Sequence, residues 1–132
     1  MTKSPALTDL QLDLMRVLWT RGEATVAEVH RELSRSSNLA QATVATLLTR
    51  LEKKGVVEHR VVGRQYVFSP VLAESEVRRA ALGRVADRVF TGDVASLVAQ
   101  LLAERRVTRE ELEEVKALIE AKEREMDEAG GA

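Results

Sequence analysis

The chain has 132 residues, is 45% hydrophobic and 31% charged, and carries a net charge of −1 at neutral pH. That is enough chain for one ordinary domain, or for a small domain with an extension, and too apolar for a disordered protein. The absence of cysteine excludes a disulfide scaffold, thiol redox chemistry and thiolate metal sites, and no apolar run is long enough to span a membrane.

The opening, MTKSPALTDL, lacks the apolar centre of a signal peptide, so the cytoplasm is the expected location. Aromatic residues make up 3% of the chain, so its core must come from Leu, Val, Ala and Ile, which suits helices packed on helices. Charge is unevenly spread. Residues 1–72 carry ten Lys and Arg against seven Asp and Glu, net +3, and residues 73–132 carry ten against fourteen, net −4. The first part suits a polyanion and the second does not.

Taken in chain order, Thr8-x-x-Gln11 is a capping box that opens a first helix over about Asp9 to Thr20, with Leu10, Leu14, Val17 and Leu18 on its apolar face and Arg21-Gly22 at its end. Thr25-x-x-Glu28 opens a second helix lined by Val26, Val29 and Leu33, which ends in the polar turn from Ser34 to Asn38. A third runs from about Ala40 to Lys54, with Gly55 placed for a left-handed cap. The period then falls to two. Val56 to Val62 and Gln65 to Ser69 read as strands, with the Gly63-Arg64 turn between them.

Beyond Pro70 the chain is expected to be helical again, from Glu74 to Phe90, then in a short helix capped by Asp93, then over about Arg109 to Glu128 behind a third box, Thr108-x-x-Glu111. The predicted fold is mainly α with a small β-hairpin. A winged helix-turn-helix domain would occupy residues 1–72, a three-helix dimerisation region residues 73–128, and a frayed tail residues 129–132.

The third helix carries the functional signal. At about 100° per residue, Val44, Leu47, Leu48 and Leu51 fall on one side, and Ala42, Thr43, Thr46, Thr49, Arg50 and Lys53 on the other. Small residues let a backbone approach base edges, threonine can bond a base or touch a thymine methyl, and arginine can fork onto guanine. Lys53 and Lys54 would touch phosphates and set register. Cations at a helix C-terminus are also favoured by the dipole, and the threonines could be ordinary solvated positions, so the helix alone does not decide. The hairpin adds Arg60 and Arg64 on a basic wing, and a wing beside such a helix points to double-stranded DNA.

Thr43-x-x-Thr46-Leu47-x-x-Arg50-Leu51-x-Lys53-Lys54-Gly55 resembles the TxxTLxxRLxKKGxI segment of the BlaI/MecI family of penicillinase repressors. The opening from Leu7-Thr8 through Met15 to Leu18-Trp19 resembles the family's LTxxExxVMxxLW, and Tyr66 to Pro70 resembles the end of its wing. The similarity continues through Ser96-Leu97-Val98 and Thr108 to Leu112. The resemblance implies a homodimeric repressor on a palindromic operator, with Thr43, Thr46 and Arg50 in the major groove, the wing on the backbone and the three C-terminal helices interlocked with a partner's. It also implies release by a membrane sensor peptidase or its effector, which in the best-known members leads to cleavage of an Asn-Phe bond. The matching pair here is Gln100-Leu101. Copper-responsive relatives carry a C-terminal cysteine cluster that this chain lacks, and Ala40 stands where relatives often cap with Ser, which leaves Asn38 as the expected cap.

Independently of the family, Val85, Val89, Leu97, Val98, Leu101, Leu102, Leu112, Val115 and Ile119 are more apolar surface than three short helices can cover, and a symmetric partner is the simplest cover. The other arrangement folds them back on the first domain. No phosphate-binding loop, dinucleotide fingerprint or nucleophile elbow occurs, so an enzyme is not expected. His30 reads as a surface residue and His59 as a strand residue near the duplex, and neither has ligand spacing, so no metal or cofactor is expected. Trp19 reads as a core anchor. The competing functions are a winged-helix module that docks a protein partner, and a MarR-like regulator that releases DNA when a small ligand binds.

Overall fold

Helices begin where side chains meet the first free amides. Thr8 Oγ1 accepts the Gln11 N–H at 3.1 Å while Gln11 Oε1 accepts the Thr8 N–H at 3.0 Å. Thr25 with Glu28, and Thr108 with Glu111, repeat this reciprocal pair. They open α1 (Asp9–Arg21), α2 (Val26–Leu33) and α6 (Arg109–Gly130). Between these lie α3 (Gln41–Lys53), α4 (Glu74–Arg84) and α5 (Val94–Glu104), the last capped by Asp93, which accepts the Ser96 N–H at 3.0 Å. The computed structural model describes residues 5–130, and the chain divides into two units, Met1–Val85 and Ala86–Ala132.

In the first unit, β2 (Val57–Val62) and β3 (Gln65–Pro70) form the expected hairpin, closed by Gly63 at φ 62° and Arg64. Val62 pairs with Gln65, and His59 with Phe68. A two-residue strand, β1 (Ala24–Thr25), adds to the far side of β3 by pairing Ala24 with Phe68, giving the order β1-β3-β2. Three helices and a hairpin in this order make a winged helix.

The core lies between α1, α2, α3 and the root of the hairpin. Leu14, Met15 and Leu18 meet Val29, Val44, Leu48, Leu51 and Val56, all fully buried. The buried face of α1 is turned from the expected one: Gln11 and Met15 are buried, whereas Leu10 and Val17 are only half-buried. Gln11 tolerates burial because its Oε1 accepts both the Thr8 N–H and Lys54 Nζ. Trp19 packs against the core and donates Nε1–H to Leu72 O at 2.9 Å, tying the end of α1 to the segment after the wing. His30 is not a plain surface residue. It is half-buried and its Nε2 lies 2.8 Å from Leu39 O, which bridges α2 to the approach of α3.

The second unit holds α5 and α6, and none of its described residues is buried. The helix expected from Glu74 to Phe90 is α-helical only to Arg84, after which Val85–Val89 form one π-helical turn. Gly83 and the β-branched Val85 and Val89 weaken the α preference there. Thr91 at φ 48° and Gly92 at φ 81° then stop the helix. The expected tail is helical through Gly130, since Ala129 continues α6, and residues 131–132 lie outside the described residues. Among the described residues, no helix is long and apolar enough to cross a membrane.

Two capping carboxylates carry a pH signature, Asp93 through the Ser96 N–H it accepts, and Glu28. Glu28 is held below its ordinary value of 4.5, first by the Thr25 backbone N–H it accepts and then by the Thr25 hydroxyl and Arg21, against an opposing push from burial. A carboxylate with a lowered folded pKa stabilises the fold above its unfolded value, and that contribution fades as pH falls through the folded value. Thermal melts followed by circular dichroism should therefore drop below about pH 4.5, and Glu28→Gln should flatten the drop.

Candidate nucleic-acid interface

α3 forms because its inner row has somewhere to go. Val44, Leu48 and Leu51 are fully buried and Leu47 is half-buried, which fixes the rotation of the helix. Ala42, Thr43, Thr46, Thr49, Arg50 and Lys53 are consequently all exposed. Thr46 and Thr49 donate their hydroxyls back to Ala42 O and Ala45 O at 3.1 and 3.0 Å. Outward they offer a methyl and acceptor lone pairs. Thr43 makes no such bond among the described residues, so its hydroxyl is free to donate.

The helix start corrects one expectation. Asn38 does not cap α3; Ala40 is the cap residue, in extended backbone, and no side chain bonds the first amides. Asn38 lies too early for its side chain to stand in for the cap. Thr43 N–H already bonds to Ala40 O at 3.0 Å, which leaves the Gln41 and Ala42 amides open to an anion.

The five basic side chains assigned to DNA differ in their surroundings. Among the described residues, Arg50, Lys53 and Arg64 have no carboxylate within ion-pair distance. Lys54 leans back to Gln11 Oε1 at 3.3 Å. Arg60 is engaged: its Nη2 lies 2.8 Å from Glu23 Oε1, and its Nε 3.4 Å from Oε2. Glu23 was not anticipated. It stands beside β1, and a two-residue strand leaves no period in the sequence.

A second unanticipated feature joins α3 to the wing. The Glu52 carboxylate lies 2.7 Å from His59 Nδ1, and the His59 ring is stacked on Tyr66 with centroids 4.0 Å apart and planes at 10°. Past this stack Val61 and Val62 are exposed, and so is the outer side of Tyr66 itself, so the outer hairpin is held by its own strand pairing.

The residues assigned to dimerisation fall on apolar stripes. On α5, Leu97 is half-buried while Val98, Leu101 and Leu102 are exposed, Leu101 by 51%. On α6, Val115 is half-buried while Leu112 and Ile119 are exposed. Val85 and Val89 are exposed on the π-helical turn. Gln100 is exposed in mid α5, its Nε2 3.1 Å from Glu104 Oε1, next to Leu101.

A family model described as "Penicillinase repressor" matches residues 7–121. The penicillinase repressor of Bacillus licheniformis is 32% identical, over 91% of this chain and 94% of its own length. The transcriptional regulator BlaI of Mycobacterium tuberculosis is 34% identical, over 79% of this chain and 88% of its own. Among solved structures, the monomeric form of Bacillus licheniformis BlaI in complex with the blaP half-operator is 38% identical, covers 58% of this chain and 93% of that chain, and superposes with a TM-score of 0.50.

Proposed function

The chain belongs to the penicillinase repressor family and is a DNA-binding transcriptional repressor, and we propose that two copies of it grip a palindromic operator, each reading one half-site with α3. Thr43, Thr46 and Arg50 face the base edges, Ala42 and Thr49 allow close approach, and Lys53, Lys54 and Arg64 meet phosphates. Arg60 reaches a phosphate only by leaving Glu23. The observation that carries the reading is the outer row of α3: small and polar, then cationic, with Arg50 and Lys53 unpaired among the described residues and a fully buried row behind them.

The second copy is supported by a unit none of whose described residues is buried, and whose apolar stripes on α5 and α6 need a cover. The three-helix region from residue 73 provides that cover, and residues 1–72 do the reading. The protein acts in the cytoplasm, as a binding protein and not as an enzyme. Release by a membrane sensor peptidase or its effector, acting at Gln100-Leu101, fits an exposed pair on the helix that pairs the copies: a cut there removes α6 and half of the α5 stripe.

Two substitutions test the reading. Arg50→Ala should relax preference at one base step, costing about 1–3 kcal/mol there. Lys53→Ala should weaken all duplexes alike and lower the slope of log K against log salt by about 0.9, the share of one phosphate. Fluorescence titrations on a selected palindrome and on a scrambled duplex separate the two. Equal effects of both substitutions on both duplexes would refute base reading by Arg50.

A further inference from the structure

Glu52 is out of place on a helix that faces a polyanion, since a carboxylate there repels phosphate. The structure turns it onto His59: Nδ1 lies 2.7 Å from Oε1 and 2.8 Å from Oε2. A carboxylate only accepts, so Nδ1 carries the proton and one N–H is shared by both oxygens. The other surface of the cluster is aromatic. His59 lies flat on Tyr66, and the buried Phe68 ring stands at 5.6 Å, tilted by 49°. The chain of contacts thus runs from the end of α3, through His59 on β2, to Tyr66 on β3 and down to the core.

The side chains of His59 and Glu52 are 26% and 35% exposed, so their bond is partly shielded from water. Beyond it, Val62 at 46% and Val61 at 60% exposure lie outside the core, with Gln65 and Tyr66 as their cross-strand neighbours. A bare two-stranded ribbon is marginal on its own. Val57 and Phe68 anchor the root of the hairpin in the core; above that root, among the described residues, two ion pairs tie it to the body, Glu52–His59 on one face and Glu23–Arg60 on the other.

We propose that Glu52, His59 and Tyr66 form a positioning clamp, which sets the angle of the wing to α3 so that base reading and the wing's phosphate contact occur together. The clamp touches no base. It raises operator affinity by holding the wing in the pose that binds. The proposal rests on the DNA reading above.

The sign of one substitution tests it. Simple repulsion predicts that Glu52→Gln strengthens binding to every duplex. The clamp predicts that Glu52→Gln weakens binding to a palindrome selected from a random pool by the wild-type chain, while a random duplex of equal length is held as well or better. His59→Ala should cost about tenfold on the palindrome, the loss when the competent pose falls to about a tenth of the population. It should also flatten the salt slope there by about one phosphate's worth. His59→Phe, which keeps the stack, and His59→Asn, which keeps a donor near Nδ1, should each restore part of the affinity.

Melting curves accompany each variant. If His59→Ala fails to fold, Glu52→Gln and the two partial variants decide. Tighter palindrome binding by Glu52→Gln, equal losses on both duplexes, or no loss in any variant overturns the clamp while the repressor reading stands. A wild-type chain that selects no palindrome overturns both.

Discussion

Leu101→Glu is expected to leave the chain monomeric and to lower its affinity for a full palindromic operator by about 10²–10⁴-fold, with half-operator affinity unchanged. The size follows from linkage: once one half-site is held, the second copy binds at an effective concentration far above that in solution, and losing the link forfeits that gain. Leu101 is the right position because it is exposed in mid α5, in register with Val94, Leu97, Val98 and Leu102 at spacings of three and four. A carboxylate buried in a twin interface is costly, and two-fold symmetry would bury it twice, once in each copy. Sedimentation should show a dimer for the wild type and a monomer for the variant, with Glu113→Gln on the polar side of α6 as a silent control. A Leu101→Glu chain that sediments as a dimer and binds the palindrome undiminished would remove the second unit from the pairing role.

Leu48→Ala is expected to cost about 2–5 kcal/mol of stability in the first unit, from lost transfer energy and the cavity left behind. Leu48 is fully buried on the back of α3, among Leu14, Leu18, Val29 and Leu51. The helix that carries Arg50 is held at its angle by that contact. Operator binding should fall with stability, because the outer row keeps its chemistry but loses its orientation. Denaturant titration gives the stability change, and an operator titration at low temperature, where the variant is still folded, gives the binding change. Arg50→Ala makes the contrast: it should alter binding with little change in the denaturation midpoint. A loss below about 1 kcal/mol for Leu48→Ala would mean that the cavity collapses and the helix finds another support.

What could be read from the sequence was whatever depends on neighbours within a turn or two. The boxes at Thr8, Thr25 and Thr108 are local chemistry and stand as expected. The burial of Val44, Leu48 and Leu51 follows from a period within one helix. The hairpin announced itself by the change to a period of two and by Gly63. The misses are all non-local or geometric. β1 exists only because β3, more than forty residues later, gives it a partner. Glu23 reaches Arg60 across 37 residues of sequence, so a cation assigned to DNA has a rival partner that no spacing reveals. The π-helical turn is a choice between near-equal hydrogen-bond patterns, which composition hardly biases. Asn38 looked like a cap by residue type, and backbone geometry put Ala40 there instead.

The bare second unit has a consequence for dosage. If two copies pair through it, as proposed, the bound form grows with the square of the amount of chain, so halving supply cuts the pairs about fourfold when most chains are single. Dilution at cell division, or slower synthesis, would then unload promoters more steeply than a lone binder could manage. In that paired arrangement, thrift in apolar cover would double as a gain control on gene output.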